Sequence, residues 1–304
     1  MNSSPKAPQT GYVFDDRYLL HVIEDGHVES PERLMFINSF LSESGLLEKC
    51  VSLKPMIDVE EFILKIHTAN HVSSVAKIPT TGLIAKLAVG GVLAAIKAVH
   101  EGTIKNAFCA IRPPGHHAHN SGMEEGFCYF NNVAIAAKYA QDLGHVKILI
   151  IDWDYHHGNG TQDAFYDDPT VLFFSTHSLF AYPGTGNPAL RGEGPKKGLN
   201  INVALPRNAQ NEDIIAAWKS HLVPAADNFK PDFVLISAGF DSRKSDPLGD
   251  FSITDAGFAK LTTMAMDIAK KHCNGRLVSI LEGGYNPDGL ALAVAAHMEK
   301  LLEI

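Results

Sequence analysis

The chain has 304 residues, 45% hydrophobic and 20% charged, enough to bury a large core, and no composition shift or linker divides it, so one domain over 1–304 is expected. A formal net charge of −8 argues against a nucleic-acid binder, because phosphate binding needs a clustered basic surface that is not visible in the sequence. The longest apolar stretches read as strand-length or broken by charge, against a membrane span; MNSSPKAPQT lacks a signal peptide's apolar core; and Cys50, Cys109, Cys128 and Cys273 show no paired spacing, which points to a reducing, cytoplasmic compartment.

In chain order, strand-like runs fall at Tyr12–Phe14, Cys50–Leu53, Ala107–Ile111, Lys147–Ile151, Val171–Ser175, Leu199–Val203, Phe233–Ser237 and Arg276–Leu281. Helical patterns lie between them at Pro31–Ser42, Leu87–His100, Asn132–Leu143, Asn211–Asn228, Asp255–Lys271 and Asp288–Leu302. This alternation predicts an α/β fold, an open, mostly parallel eight-stranded sheet with helices on both faces.

Polar clusters follow the strands. Ala107–Ile111 runs into RPPGHHAH, Lys147–Ile151 into DWDYHHGNG, Val171–Ser175 into THS, Phe233–Ser237 into AGFDSRKSDPLGD and Arg276–Leu281 into EGGY. Five loops therefore converge on the carboxyl edge of the sheet, where open parallel sheets bind ligands. Gly239, Gly283 and Gly284 let backbone approach that site closely.

Asp154 and His156 stand two apart in an extended segment, so they face the same side and offer oxygen and nitrogen to a borderline metal such as zinc. A catalytic zinc needs about three protein ligands and an open position. Asp241, the first polar side chain after a strand and a glycine, is the natural third. The adjacent His116 and His117 can take a proton from water and return it to a leaving amine; the alternative for the pair alone is a capped turn after Pro113-Pro114. Tyr285, behind two glycines, can donate its hydroxyl to an oxyanion; a lone tyrosine there would sooner be a packed aromatic, and the metal loop beside it tips the reading to function. The pair His156 and His157 leaves no obvious ligand set for a second metal, against a dinuclear manganese hydrolase.

The combination RPPGHHA, GFCYFNN, DWDYHHGNGT, SAGFDSRKSDPLGD and EGGY resembles the histone deacetylase superfamily, in particular its class II-like branch, related to acetylpolyamine amidohydrolases. The match runs from about Ser30-Pro31-Glu32-Arg33 to Tyr285 and implies the arginase/deacetylase fold. It implies one catalytic zinc on Asp154, His156 and Asp241, His117 as general base and acid, His116 as its electrostatic partner oriented by Asp152, and Asn159 orienting His117. It also implies potassium at Asp152, Asp154, His156, Ser175 and Thr176, and a second potassium at backbone oxygens of Phe165, Asp168, Val171 and Leu199. Gly126, Phe127 and Tyr182 match positions of a narrow acyl-lysine channel, with Leu248 and Gly283 also expected at the substrate.

The implied activity is removal of acetyl or another short acyl group from the side-chain amine of acyl-lysine in proteins or peptides, by metal-activated water, with hydroxamate-type inhibitors chelating the zinc. Two alternatives are a deacetylase of acetylpolyamines or other small acylated amines and a catalytically weak acyl-lysine binding module. Tyr285 favours the enzyme, because branches with poor deacetylase activity often replace that tyrosine. Two positions depart from the family pattern. No Asp or Glu occurs between Thr68 and His100, where related enzymes often carry an aspartate that grips the substrate backbone. Leu248 stands where polyamine-selective relatives place a glutamate, which argues against polyamines, with Asp250 partly compensating.

Overall fold

The computed structural model describes residues 9–192 and 198–303, so most of the N-terminal stretch read above lies outside the described residues. Eight strands form one sheet: β1 Thr10–Val13, β2 Cys50–Leu53, β3 Asn106–Cys109, β4 Ile148–Asp152, β5 Val171–His177, β6 Asn200–Ala204, β7 Phe233–Ala238 and β8 Leu277–Leu281. Their order is β2-β1-β3-β8-β7-β4-β5-β6, and every pairing is parallel. The expected mostly parallel sheet is thus wholly parallel. Ile148–Ile151 is completely buried at its centre, as a strand covered on both faces requires.

Among the described residues ten α-helices surround the sheet: α1 Glu32–Glu43, α2 Glu60–Ile63, α3 Ala69–Ala76, α4 Thr81–His100, α5 Asn132–Asp142, α6 Asn159–Phe165, α7 Asn211–Ala217, α8 Val223–Phe229, α9 Asp255–Cys273 and α10 Pro287–Leu301. The single helix expected over Asn211–Asn228 is α7 and α8 joined by a π-helical turn at Trp218–Leu222. Pro224, near the start of α8, has no N–H for the preceding turn and its ring crowds the carbonyl four residues back, which widens the helix there.

Lys86 and Lys97 interrupt α4 as the sequence reading required, yet the helix still has the length and hydropathy that the reading took to be absent. Over 20 residues it has a mean hydropathy of 1.8 in its most apolar window and is long and apolar enough to cross a membrane. Here 78% of that window is buried inside the protein, so α4 serves as a core helix. It begins at Thr81, six residues before the expected Leu87. The alternation along β4 continues past its end: Trp153 turns into the core against Trp218, with ring centroids 5.8 Å apart, while Asp152 and Asp154 face the site.

Candidate active site

Asp154, His156 and Asp241 converge at the carboxyl edge, with ligand atoms all within 4.8 Å of one another. His156 Nδ1 lies 3.1 Å from Asp154 Oδ1 and 2.9 Å from Asp241 Oδ2. One ring nitrogen carries at most one proton, so it cannot donate fully to both carboxylates, and a cation between the three would satisfy them together. Backbone N–H groups aim the carboxylates: Gly283 N donates to Asp154 Oδ2 at 2.9 Å and Tyr155 N to Asp241 Oδ1 at 2.9 Å. A side chain on Gly239 would run into the Asp154 carboxylate, and one on Gly283 into both carboxylates. Burial pushes Asp241 up to about 7, and repulsion from Asp154 adds to it. Burial also opposes charge on Asp154, but His116 and His156 outweigh it and hold that carboxyl well below its usual range. Among the described residues this is the one cluster with metal-ligand geometry, and its two carboxylates and one imidazole fit zinc.

The tandem histidines are built to differ. His116 Nδ1 sits 2.9 Å from Asp152 Oδ2, and its Nε2 is 3.8 Å from Asp154 Oδ1. Burial opposes protonation of His116, but Asp152 and Asp154 outweigh it and raise its pKa well above the usual value. His117 Nδ1 lies 2.7 Å from Asn159 Oδ1. An amide oxygen only accepts, so Nδ1 carries the proton and Nε2 is left as a base. Burial first, and then the charge on His116, hold the His117 pKa well below the usual value. Environments that push two like groups apart in this way mark an acid/base pair. Glu282 was not singled out in the sequence, yet its carboxylate accepts from Gly115 N at 2.7 Å, His116 N at 3.2 Å and Ser237 Oγ at 3.1 Å.

Tyr285 is buried, and burial, then Asp241, raise its hydroxyl pKa well above the usual value, so it remains a donor. Its loop is gripped from behind. Arg33 Nε donates to Gly284 O at 2.6 Å, Arg33 also holds the Glu282 carbonyl, and Glu29 pairs with Arg33 at 3.0 Å and Arg112 at 2.6 Å. All three of these charged side chains are fully buried.

Above the carboxylates opens a cleft of about 570 Å³ lined by Gly126, Phe127, Tyr182, Leu248, His117, His156 and Tyr285, together with Glu124, Tyr155, Phe180 and Ala181, which the sequence reading did not select. Gly283, expected at the substrate, sits below the cleft between the two carboxylates, because its N–H and missing side chain are what let Asp154 and Asp241 approach.

Asp152 and Ser175 are register partners on β4 and β5, which sets the first expected potassium residues side by side. Ser175 Oγ engages His177 Nδ1 at 2.8 Å, and Thr176 Oγ1 is buried without a hydrogen-bond partner. For the second set, the carbonyls of Phe165, Asp168 and Leu199 accept from Asp168 N, Val171 N and Phe173 N at 2.9, 3.4 and 2.9 Å, leaving each a second lone pair. His157 turns away from the carboxylates, to Thr185 Oγ1 at 2.8 Å and Asn202 Oδ1 at 3.1 Å.

An all-parallel sheet with acid, base and buried hydroxyl gathered at its carboxyl edge is the layout of an α/β enzyme with its site at the strand ends, here in the arginase/deacetylase fold. Within that class the chain belongs to the histone deacetylase family: residues 77–301 match the histone deacetylase domain. It is 40% identical over 296 residues to a probable deacetylase of Archaeoglobus fulgidus, covering 92% of this chain and 82% of that protein. It is 37% identical over 329 residues to histone deacetylase 5 of Arabidopsis thaliana, covering 97% of this chain but only 49% of that longer protein. The crystal structure of the HDA15 HD domain superposes with a TM-score of 0.90 at 34% identity, covering 97% of this chain and 91% of that one.

Proposed function

We propose that this chain is a zinc-dependent deacetylase that removes acetyl, or another short acyl group, from the side-chain amine of acyl-lysine in peptides or proteins. The convergence of Asp154, His156 and Asp241 at the foot of the cleft carries this reading. When bound there, zinc supplies Lewis acidity to the acyl carbonyl and to the attacking water. His117 Nε2 takes the water's proton and returns it to the departing amine nitrogen. His116, held charged by Asp152 and Asp154, stabilises developing negative charge beside the carbonyl. The Tyr285 hydroxyl donates to the same oxyanion, and Phe127 and Tyr182 flank the stem of the substrate and exclude water. Leu248 on the lining supports acyl-lysine over polyamines, since it offers no partner to a distant ammonium. Hydroxamates are expected to inhibit by chelation. Potassium is expected at the Asp152–Ser175 site and at the carbonyl site around Phe165, and unpaired cysteines support a cytoplasmic location.

Zinc-loaded protein assayed against acetyl-lysine peptides, free acetyl-lysine and acetylpolyamines tests the proposal. Acetate release from the peptides, abolished by chelation and restored by zinc, is expected. Turnover of polyamines hundreds of times better than of peptides would reverse the substrate assignment.

A further inference from the structure

The wall of the cleft is a strained turn. Glu125 and Cys128 exchange both backbone hydrogen bonds at 3.0 Å, and the two residues between them, Gly126 and Phe127, have φ of +55° and +69°. This is the geometry of a tight turn with both central residues left-handed, which suits glycine at the first and is uncommon for phenylalanine at the second. A side chain on Gly126 would strike His117 and Tyr182, so the glycine is fixed by the close approach. The Phe127 ring stands in the cleft, edge-on to Tyr285 with centroids 5.8 Å apart. Such a backbone persists only where its surroundings hold it.

Glu124 on the cleft accepts from Phe127 N, and the rest of what holds the turn is outside the reaction machinery. Glu125 Oε2 accepts from His119 N at 2.8 Å, and its other oxygen is 3.4 Å from His119 Nδ1. The opposite nitrogen of the same ring, Nε2, is 3.0 Å from Asp163 Oδ2 on α6. The first residue of α6 is Asn159, the partner of His117. One imidazole therefore ties the turn that presents Phe127 to the helix that orients the base.

We propose that Glu125, His119 and Asp163 form a clamp that fixes the Phe127 wall against α6, so that these three are positioning residues which set the fit of the acyl-bearing stem. A ring between two carboxylates binds both only when both of its nitrogens carry protons. Its pKa is raised, first by the hydrogen bond to Asp163 and against partial burial. Two other histidines act on this group, His67 on the ring and His157 on Asp163, and burial pushes them down to about 4 and about 3 and keeps both neutral. The clamp therefore closes while His119 is charged and loosens as pH rises through its raised pKa.

The kinetic part of this inference rests on the deacetylase reading; the structural part does not. His119→Gln, Glu125→Gln and Asp163→Asn should each raise KM for an acetyl-lysine peptide by about three- to tenfold with kcat within about twofold, since a looser wall weakens binding of substrate and transition state alike. The wild-type KM should climb with alkaline pH, His119→Gln should remove that step, and Asp163→Glu should restore the wild-type profile. In the same variants, amide exchange of residues 119–128 should quicken while the sheet stays protected. Unchanged exchange would overturn the clamp, as would loss of kcat at constant KM. Wild-type protein that turned over no acylated amine would instead defeat the deacetylase reading, and the exchange comparison would still decide the clamp.

Discussion

The backbone N–H of Tyr285 donates to the buried carboxylate of Asp246 at 2.7 Å. The same carboxylate accepts from Asn286 N at 3.3 Å and, through its other oxygen, from Leu248 N at 3.0 Å, so one side chain fixes both the tyrosine and a lining residue of the cleft. Asp246→Ala leaves these donors without a partner, at about 1–3 kcal/mol for each buried group. It should lower the melting temperature and slow turnover while zinc is retained, with Asp246→Asn milder in both. Wild-type stability and rate in Asp246→Ala, read by thermal unfolding and steady-state kinetics, would remove Asp246 from that role.

Asp241 supplies the second carboxylate of the triad. Because ligands must be deprotonated to hold a metal, an amide in its place is a far poorer ligand. Asp241→Asn should lose most bound zinc and activity with the fold intact. Metal analysis beside circular dichroism checks this, and full occupancy with normal turnover would exclude Asp241 as a ligand.

His116 and His117 should separate by role. With Nε2 of His117 free as the base, His117→Ala should abolish turnover with zinc retained, whereas His116→Ala should keep more residual rate. Equal, mild losses from the two variants would identify a structural pair.

Stability should fall in acid through buried histidines outside the site. Burial pushes His297, between Thr262 Oγ1 at 2.6 Å and Ser279 Oγ at 2.9 Å, down to about 3. His67 is pushed down to about 4 by burial and then by His71. The unfolded chain protonates near pH 6.5 while the folded chain does not, so stability is complete above about 6.5 and falls towards pH 3–4, by about 1.4 kcal/mol per pH unit for each residue. Urea midpoints at pH 7 and 5 should differ accordingly, and His297→Gln should flatten the slope. An unchanged slope in that variant would contradict the assignment.

The site's first ring of residues was legible because chain-local signals mark it. Ile148–Ile151 is an apolar run ending in charge, and that boundary is where β4 ends and Asp154 and His156 emerge. Residues whose roles depend on distant partners were not legible. Glu282 reaches Gly115 across 167 positions and Glu29 reaches Arg112 across 83, separations that leave no periodicity to read. Helix α3 escaped notice because its buried His71, which engages Tyr129 O at 2.7 Å, breaks the apolar stripe. Helix α6 escaped because Gly158 and Gly160 give its start the composition of a loop. The early start of α4 was missed because Gly82 sits in its first turn, packed against the Val75 carbonyl.

The central claim is that this chain catalyses deacylation with a hydroxyl donor opposite the metal ligands, and Tyr285→Phe tests it most directly. The phenol is not a member of the ligand triad, so the variant should bind zinc and an acetyl-lysine ligand as the wild type does. Removing one oxyanion donor costs about 2.7–4 kcal/mol in the transition state. Measured together, zinc content and the rate of acetyl-lysine hydrolysis should show one bound zinc and a rate lower by about a hundred- to a thousandfold. A wild-type rate in Tyr285→Phe would contradict the account.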